Sequence, residues 1–318
     1  TCRDGLEAYE KLKANKYDGV VLDVNMPRMS GLELLERLQK EKIKATVIMV
    51  STETTKDAEV TMLAMERGAV DFVEKPMNII EAKGDTFKER VVSVLKAVLS
   101  TTKVNQSSMA GAGRITLRKT VQPVRGGNKI VALACSTGGP KALQSVIPYL
   151  PKNLDAPMVL VQHMPAGFTQ ALAARLNTIS PLTIKEAAEG DVLMPGEVFL
   201  ARGGRHMEAV KKRARHLIHY TDEPPREGVR PCANYMYESL ADCDYDEVVC
   251  VVLTGMGADG TAGIKNLIKK KKVMVFAQSE TTCAVYGMPR SVVLSGLSKG
   301  GISLEQIAQE IIKNVGVI

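Results

Sequence analysis

Tryptophan is absent from the 318-residue chain, and aromatic residues of any kind make up only 4% of it. Stacking of nucleic-acid bases needs aromatic faces, so a single-strand binding platform is not expected. Long apolar runs are missing too; Val248–Leu253, for example, stops at Thr254. A bilayer crossing takes about 20 apolar residues, so no membrane insertion is expected. Thr1–Asp4 offer neither a starting Met nor an apolar signal core, which predicts no secretion address. The six cysteines (2, 135, 232, 243, 250 and 283) form no C-x-x-C pair and no metal-ligand spacing. At this chain length they read as free thiols in a reducing cytoplasm. A net charge of +7 is mild and does not indicate nucleic acid. What is present is an ordinary globular balance, 45% apolar and 24% charged, over a length that favours two domains. No internal repeat of fixed period is visible.

Charge marks the boundary between the domains. No carboxylate occurs between Glu89 and Asp155, and Ser100–Arg114 inside that gap is rich in Ser, Thr and Gly. Such a segment buries too little apolar surface to offset its ordering entropy. The expected organisation is a first domain at 1–98, a flexible linker at 99–127 and a second domain at 128–318. In the first, the apolar runs Gly19–Val24, Ala45–Val50 and Val70–Glu74 alternate with helical spacing in Gly31–Leu38 and Asp57–Glu66. In the second, Lys129–Ala134, Met158–Gln162, Val248–Leu253 and Val273–Phe276 read as buried strands, with Gln170–Leu176 as a helix among them. Strands separated by helices predict α/β domains with parallel sheets. Val198–Tyr220, with Gly203, Gly204 and basic tips, predicts a hairpin that holds His206, His216 and His219.

Chemistry in open parallel sheets collects beyond the carboxyl ends of the strands. Three ends in the first domain carry Asp23, Ser51 and Lys75. A carboxylate can attack a phosphoryl group, and a hydroxyl and an ammonium can hold its oxygens. Each residue alone is an ordinary turn or strand-end choice; the three at successive ends, in that order, form a pattern. Arg3–Ala8, Leu22–Pro27 followed by Gly31, Met49–Ser51, Gly68–Phe72 and Glu74–Pro76 together resemble the response-regulator receiver domain. The resemblance implies a flavodoxin-like fold with Asp23 as phospho-acceptor, Ser51 as switch hydroxyl and Lys75 as phosphate-binding lysine. It also implies Mg²⁺ held in part by Asp23 and the Asn25 carbonyl. The family's acidic pair, first strand and first helix should precede Arg3, so the receiver is expected to be an incomplete one, truncated at its N-terminus. One carboxylate makes a poor Mg²⁺ site, because this cation needs further oxygen ligands.

In the second domain, Val131–Cys135 runs into Ser136-Thr-Gly-Gly-Pro140 and then a helix. Backbone N–H groups converge at such a turn, suiting a nucleophile beside an oxyanion, a helix-capping serine or a phosphate cradle. The next strand ends in His163, and Val251–Leu253 leads through Thr254-Gly-Met-Gly-Ala to Asp259-Gly260. A hydroxyl needs an imidazole to take its proton, and the imidazole needs a carboxylate to fix its tautomer. Ser136, His163 and Asp259 therefore read as a hydrolytic triad, outside the G-x-S-x-G pattern and outside the familiar triad orders. No metal or cofactor is expected for catalysis.

Residues 128–318 resemble the catalytic domain of the bacterial chemotaxis protein-glutamate methylesterases. The matching runs are Ser136–Gly139, Gln162–Thr169, Leu172–Leu176, Glu189–Gly196, Leu253–Gly260 and Tyr286–Arg290. The resemblance implies hydrolysis of glutamate γ-methyl esters on the cytoplasmic helices of chemoreceptors, with deamidation of receptor glutamines. It implies Ser136 as nucleophile, His163 as base, Asp259 as orienting acid and Met256 beside the oxyanion; the N–H groups of Met256 and Thr137 are the candidate oxyanion donors. A chemotaxis histidine kinase is the implied phosphodonor. Arg202 and Lys269–Lys272 depart from the family pattern; the lysines read as a solvated face or as a basic rim for acidic receptor helices. Three rivals are a receiver-linked adaptor without catalysis, a DNA-binding regulator, and a serine hydrolase or deamidase outside chemotaxis. The buried strands after residue 128 oppose the DNA-binding reading. A receiver without its first strand is expected to leave the strand ending at Asp23 as an exposed edge, to fail in phosphoryl transfer and to leave the esterase unregulated.

Overall fold

The computed structural model describes residues 1–52, 54–76, 85–108 and 127–318, the side chains of 85, 86 and 102–108 excepted. Residues 1–103 and 104–318 form two compact units. In the first, β1 (Val20–Asp23), β2 (Val47–Ser51) and β3 (Asp71–Glu74) make a parallel sheet in the order β1-β2-β3. Every residue of β2 is buried, as expected for a strand flanked on both sides. Helices α1 (Gly5–Ala14), α2 (Gly31–Lys40) and α3 (Thr55–Glu66) accompany the sheet. Their starts are written in the sequence: the Asp4 carboxylate accepts from the N–H groups of Leu6 and Glu7, and Ser30 and Glu33 cap one another's backbone N–H groups. Leu34, Leu35 and Leu38 of α2 pack inward with Ile48, Met49, Met62 and Met65. Fully burying each contributes about 1.5–3 kcal/mol relative to leaving it in water. In β1, Leu22 is buried while Val21 stays half-exposed.

Helix α4 (Asp85–Ser108) runs past the boundary expected at 98, so residues 99–108 of the expected linker are helical. Val94, Val98 and Thr101 recur on one buried stripe and hold it down. Beyond them neither Pro nor Gly interrupts the backbone ladder before 108. The remainder of the expected linker, 109–126, lies outside the described residues.

The second unit is built on a seven-stranded sheet in the order β12-β11-β10-β4-β5-β7-β6, with every ladder parallel. The central strands are β4 (Lys129–Cys135), β5 (Met158–Gln162) and β10 (Glu247–Val252). Their near-continuous burial accounts for the unbroken apolar runs in the sequence. β6 (Thr183–Glu186) and β7 (Glu197–Leu200) extend one side of the sheet. β11 (Lys272–Gln278) and the short β12 (Gly301–Ile302) extend the other. The chain leaves β4 toward β5 and later returns to place β10 on β4's opposite side. The crevice between the ends of β4 and β10 is therefore the topological switch point, where this architecture opens a site.

The expected hairpin is β8 (His206–Lys212) with β9 (Arg215–Thr221), antiparallel and separate from the main sheet, and its three histidines lie on these two strands. The segment just before it, expected in the same strand-rich unit, instead joins the main sheet as β7. Lys269–Lys272 lead into β11 and so lie at the amino ends of the strands, opposite the switch point. Lys270 pairs with Asp242 at 3.4 Å, Lys272 pairs with Glu247 at 3.3 Å, and Lys271 Nζ donates to the Cys243 carbonyl. The lysine run is thus no rim of the crevice; Lys270, Lys271 and Lys272 pair at the amino ends of β10 and β11 with Asp242, the Cys243 carbonyl and Glu247. All six cysteines are free, and only Cys2 is exposed. Among the described residues no helix is long and apolar enough to cross a membrane.

Candidate active site

Ser136 is the first residue beyond β4, half-buried at the switch point. Helix α5 (Gly139–Val146) starts just after it with Gly138 as cap and no side-chain capping bond, so Ser136 is not a capping serine. Two crosslinks bring the turns after β4 and β10 together. The Ser136 N–H donates to the Thr254 carbonyl at 2.9 Å, and Thr254 Oγ1 donates to the Thr137 carbonyl at 2.8 Å. Gly255 allows this approach: a Cβ there would fall 2.4 Å from Met288 Sδ and 2.8 Å from Ser136 Cβ. The N–H groups of Thr137 and Met256, on the turns that follow β4 and β10, donate to no protein acceptor among the described residues.

His163 follows β5 by one residue. Its N–H donates to the Cys135 carbonyl at 3.1 Å, and Cys135 and Gln162 are ladder partners, so Ser136 and His163 come next in that register. His163 Nε2 stands 2.7 Å from Asp259 Oδ2, with both side chains largely withdrawn from water. That contact leaves Nδ1 as the ring nitrogen able to take a proton from Ser136 Oγ. No hydrogen bond joins Ser136 Oγ to the imidazole here, a looseness common in sites without substrate.

Asp259 is seated at the start of α6 (Ala233–Ser239). The N–H of Ala233 donates to Oδ2 at 2.6 Å, and the N–H of Asn234 and the Cys232 thiol donate to Oδ1, each at 3.0 Å. Burial pushes its carboxyl up, but the bond to His163, the imidazole's charge and these donors outweigh it and hold the group below its ordinary value. The result is a fixed anion against one imidazole nitrogen, with a hydroxyl and two free N–H groups at the neighbouring strand end. Such a set can add a serine to an acyl carbon and hold the oxyanion that forms.

Three partners escaped the sequence reading. Gln162, buried at the end of β5, donates from Nε2 to the carbonyls of both Ser136 and His163 at 3.0 Å each. Cys232 holds Asp259 as described, and Asn234 accepts at Oδ1 from the N–H groups of Gly260 and Gly263 at 3.1 and 2.6 Å. Gln162 sits inside a motif run already noted, a usable signal; nothing in the local sequence ties Cys232 or Asn234 to a carboxylate so far downstream.

In the first unit, Lys75 Nζ lies 2.6 Å from Asp23 Oδ2, so two of the three expected strand-end residues meet. Asn25 donates its N–H to Asp23 Oδ1 at 3.2 Å and its side-chain amide to Asp57 Oδ1 at 3.0 Å. Ser51 does not join them. Its buried hydroxyl lies 2.8 Å from Thr61 Oγ1, turned into helix α3, where a polar group inside the fold finds its partner. Asp57, unremarked in the sequence, is the second carboxylate of this cluster; it also accepts from Thr52 Oγ1.

A family model described as CheB methylesterase matches residues 131–311, which contain Ser136, His163 and Asp259, and one described as response regulator receiver domain matches residues 1–83. The protein-glutamate methylesterase/protein-glutamine glutaminase of Bacillus subtilis is 40% identical over 320 residues, covering 98% of this chain and 89% of that protein. That of Geobacillus kaustophilus is 38% identical over 325 residues, covering 99% and 90%. Among solved structures, the Thermotoga maritima CheB methylesterase catalytic domain is 38% identical with a TM-score of 0.57, covering 59% of this chain and 99% of that one.

Proposed function

The chain belongs to the CheB methylesterase family, with a receiver domain ahead of the catalytic domain, and on that premise we propose that Ser136, His163 and Asp259 carry out its chemistry. The activity is hydrolysis of protein glutamate methyl esters and deamidation of protein glutamines. The observation that supports the assignment of residues is the 2.7 Å contact of His163 Nε2 with Asp259 Oδ2 at the switch point beside Ser136. His163 Nδ1 takes the Ser136 hydroxyl proton as Oγ attacks the ester carbonyl carbon. The carbonyl oxygen becomes an oxyanion facing the N–H groups of Thr137 and Met256. Its collapse breaks the bond to the methoxy group, which leaves as methanol with the proton from His163. Water, deprotonated by the same nitrogen, then frees glutamate and restores Ser136. With a glutamine substrate the same steps expel ammonia. Asp259 stays anionic throughout, fixing the tautomer and balancing the imidazolium.

The family and its receiver domain imply, in general, a receptor protein as substrate and a kinase as phosphodonor. The finer reading is that the target glutamates lie on cytoplasmic helices of methyl-accepting chemotaxis receptors, that a chemotaxis histidine kinase phosphorylates Asp23, and that the enzyme works in the cytoplasm. The Lys75 ammonium against Asp23 supports this reading by supplying a cation for phosphoryl oxygens. Asp23 and the Asn25 carbonyl are too few oxygen donors for Mg²⁺, and Lys75 already occupies Asp23 Oδ2, so these two do not by themselves fit the ion. The test of the triad is methanol release from methylated receptor membranes. Ser136→Ala should fold and lose about 10³-fold or more in rate, and adding His163→Ala should cost little further, because the two act as a unit. Full activity in Ser136→Ala would overturn the assignment.

A further inference from the structure

We propose that Cys232 is a positioning residue for catalysis, its thiol fixing the Asp259 carboxylate in the plane that His163 requires. This rests on the reading of His163 as base and Asp259 as its orienting acid. Cys232 is fully buried, and its Sγ lies 3.0 Å from Asp259 Oδ1. Asp259 Oδ2 takes the imidazole and the Ala233 N–H, while Oδ1 takes the thiol and the Asn234 N–H. With two donors on each oxygen the carboxylate has no freedom to rotate about its terminal bond, and the oxygen facing His163 is determined.

The cysteine is itself held from the other side. Its N–H donates to His206 Nδ1 at 3.2 Å, which places the ring proton on Nε2, 3.1 Å from the Pro224 carbonyl. His206 is buried against Tyr235, with ring centroids 4.3 Å apart. A chain of contacts therefore runs from the Pro224 strap through His206 and Cys232 to Asp259 and the base. Burial, together with the nearby Asp259 charge and its bond to the thiol, pushes the Cys232 pKa up to about 12, so the group remains a proton donor at neutral pH. A buried cysteine serving only as apolar filling would need no aim at a carboxylate oxygen; this one spends its single proton there.

The experiment compares Cys232→Ala, which removes the donor, with Cys232→Ser, which keeps it as an O–H, in the full chain. Methanol release from methylated receptor membranes is measured from acid to alkaline pH, with His163→Ala as reference and thermal unfolding as the check on folding. Cys232→Ala should lower kcat by about tenfold to a hundredfold with KM little changed, because the loss falls on the reacting geometry. Its acid limb should move to higher pH, since a carboxylate stripped of one donor presents more negative charge to the imidazole. Cys232→Ser should return both kcat and the acid limb to near the parent values. A folded Cys232→Ala with parental kcat and limb would overturn the inference while leaving the triad intact, provided His163→Ala is inactive. A serine variant as impaired as the alanine one would also overturn it. An active His163→Ala would overturn the triad reading and this inference with it.

Discussion

The side-chain amide of Gln162 donates to the Ser136 carbonyl at 3.0 Å and, from the same nitrogen, to the carbonyl of His163. One buried group thus ties together the backbones of the nucleophile and the base. Its Oε1 accepts from the Cys135 thiol at 3.0 Å, and the space it occupies exists because residue 139 is glycine. Gln162→Leu keeps the volume and removes both donors. We predict a stability loss of about 1–3 kcal/mol and a larger fall in kcat than in 1/KM, because neighbouring strand ends slip relative to one another. Gln162→Glu should be worse at neutral pH, since it aims a buried anion at two carbonyl oxygens. A leucine variant with parental kcat, or a glutamate variant better than the leucine one, would contradict the arrangement.

Asp259 links the site to the pH dependence of stability. Its carboxyl is held below the ordinary value of 3.8 in the fold, so at mildly acid pH the unfolded chain binds the proton that the folded chain refuses. The contribution is fully present above that ordinary value and is lost as pH falls through the lower folded value. Asp259→Asn lacks the charge, so it should be less stable than the parent by about 2–3 kcal/mol near neutrality, with the gap closing on the acid side. Denaturant midpoints of the two proteins across this range decide the matter. A gap that stays constant or widens in acid would rule the linkage out.

Metal removal should leave catalysis untouched. Among the described residues no group of three His, Cys, Asp or Glu side chains is placed to hold an ion. Each hydrolytic step has a side-chain agent: Ser136 attacks, and His163 carries the proton. Dialysis against a chelator should leave methanol release by the unphosphorylated protein unchanged. A loss reversed by adding Zn²⁺ or Mg²⁺ would show that the triad is not the whole machinery.

The elements that were legible in the sequence are those whose residues obey one local rule. β4, β5 and β10 are continuous apolar runs because both sheet faces are covered, and a run of that kind needs no tertiary knowledge to read. Ser136 and His163 are visible because each directly follows such a run at its carboxyl end, and Asp259 because it closes the Gly-rich turn that follows the third run. The few residues of β7 carry no signal that distinguishes a parallel partner from an antiparallel one, so the sequence alone groups them with the hairpin; only the ladder from Met158–Leu160 to Val198–Leu200 decides it. Cys232 and Asn234 were hidden for another reason. Their role lies in where α6 begins relative to a turn more than twenty residues later, and no periodicity encodes that distance. Lys269–Lys272 show the reverse case: the charge run was plain, but which end of β11 it occupies sets its meaning.

Gly255 offers the sharpest test of how tightly the crevice is built. The turn after β10 passes close to Ser136, and only a residue without Cβ leaves that room. The N–H of Gly255 donates to the Val285 carbonyl at 3.0 Å, and its own carbonyl accepts from the N–H groups of Gly287 and Met288 at 3.0 and 2.9 Å, so the turn is bonded from outside as well. A methyl group there meets Met288 Sδ at 2.4 Å and Ser136 Cβ at 2.8 Å. Met288 can swing its flexible end aside, but Ser136 is fixed by its own N–H to the Thr254 carbonyl. The strain should therefore be taken up by the turn itself, which carries Met256, the proposed second oxyanion donor. Gly255→Ala should fold with a loss of about 1–3 kcal/mol and lower kcat by about 10²-fold, the cost of displacing a reacting group by roughly 1 Å. Ester binding should be preserved, because KM draws on contacts remote from the oxyanion. A Gly255→Ala enzyme with parental kcat would show that the Met256 N–H lies outside the oxyanion site, and the donor set would reduce to Thr137 alone.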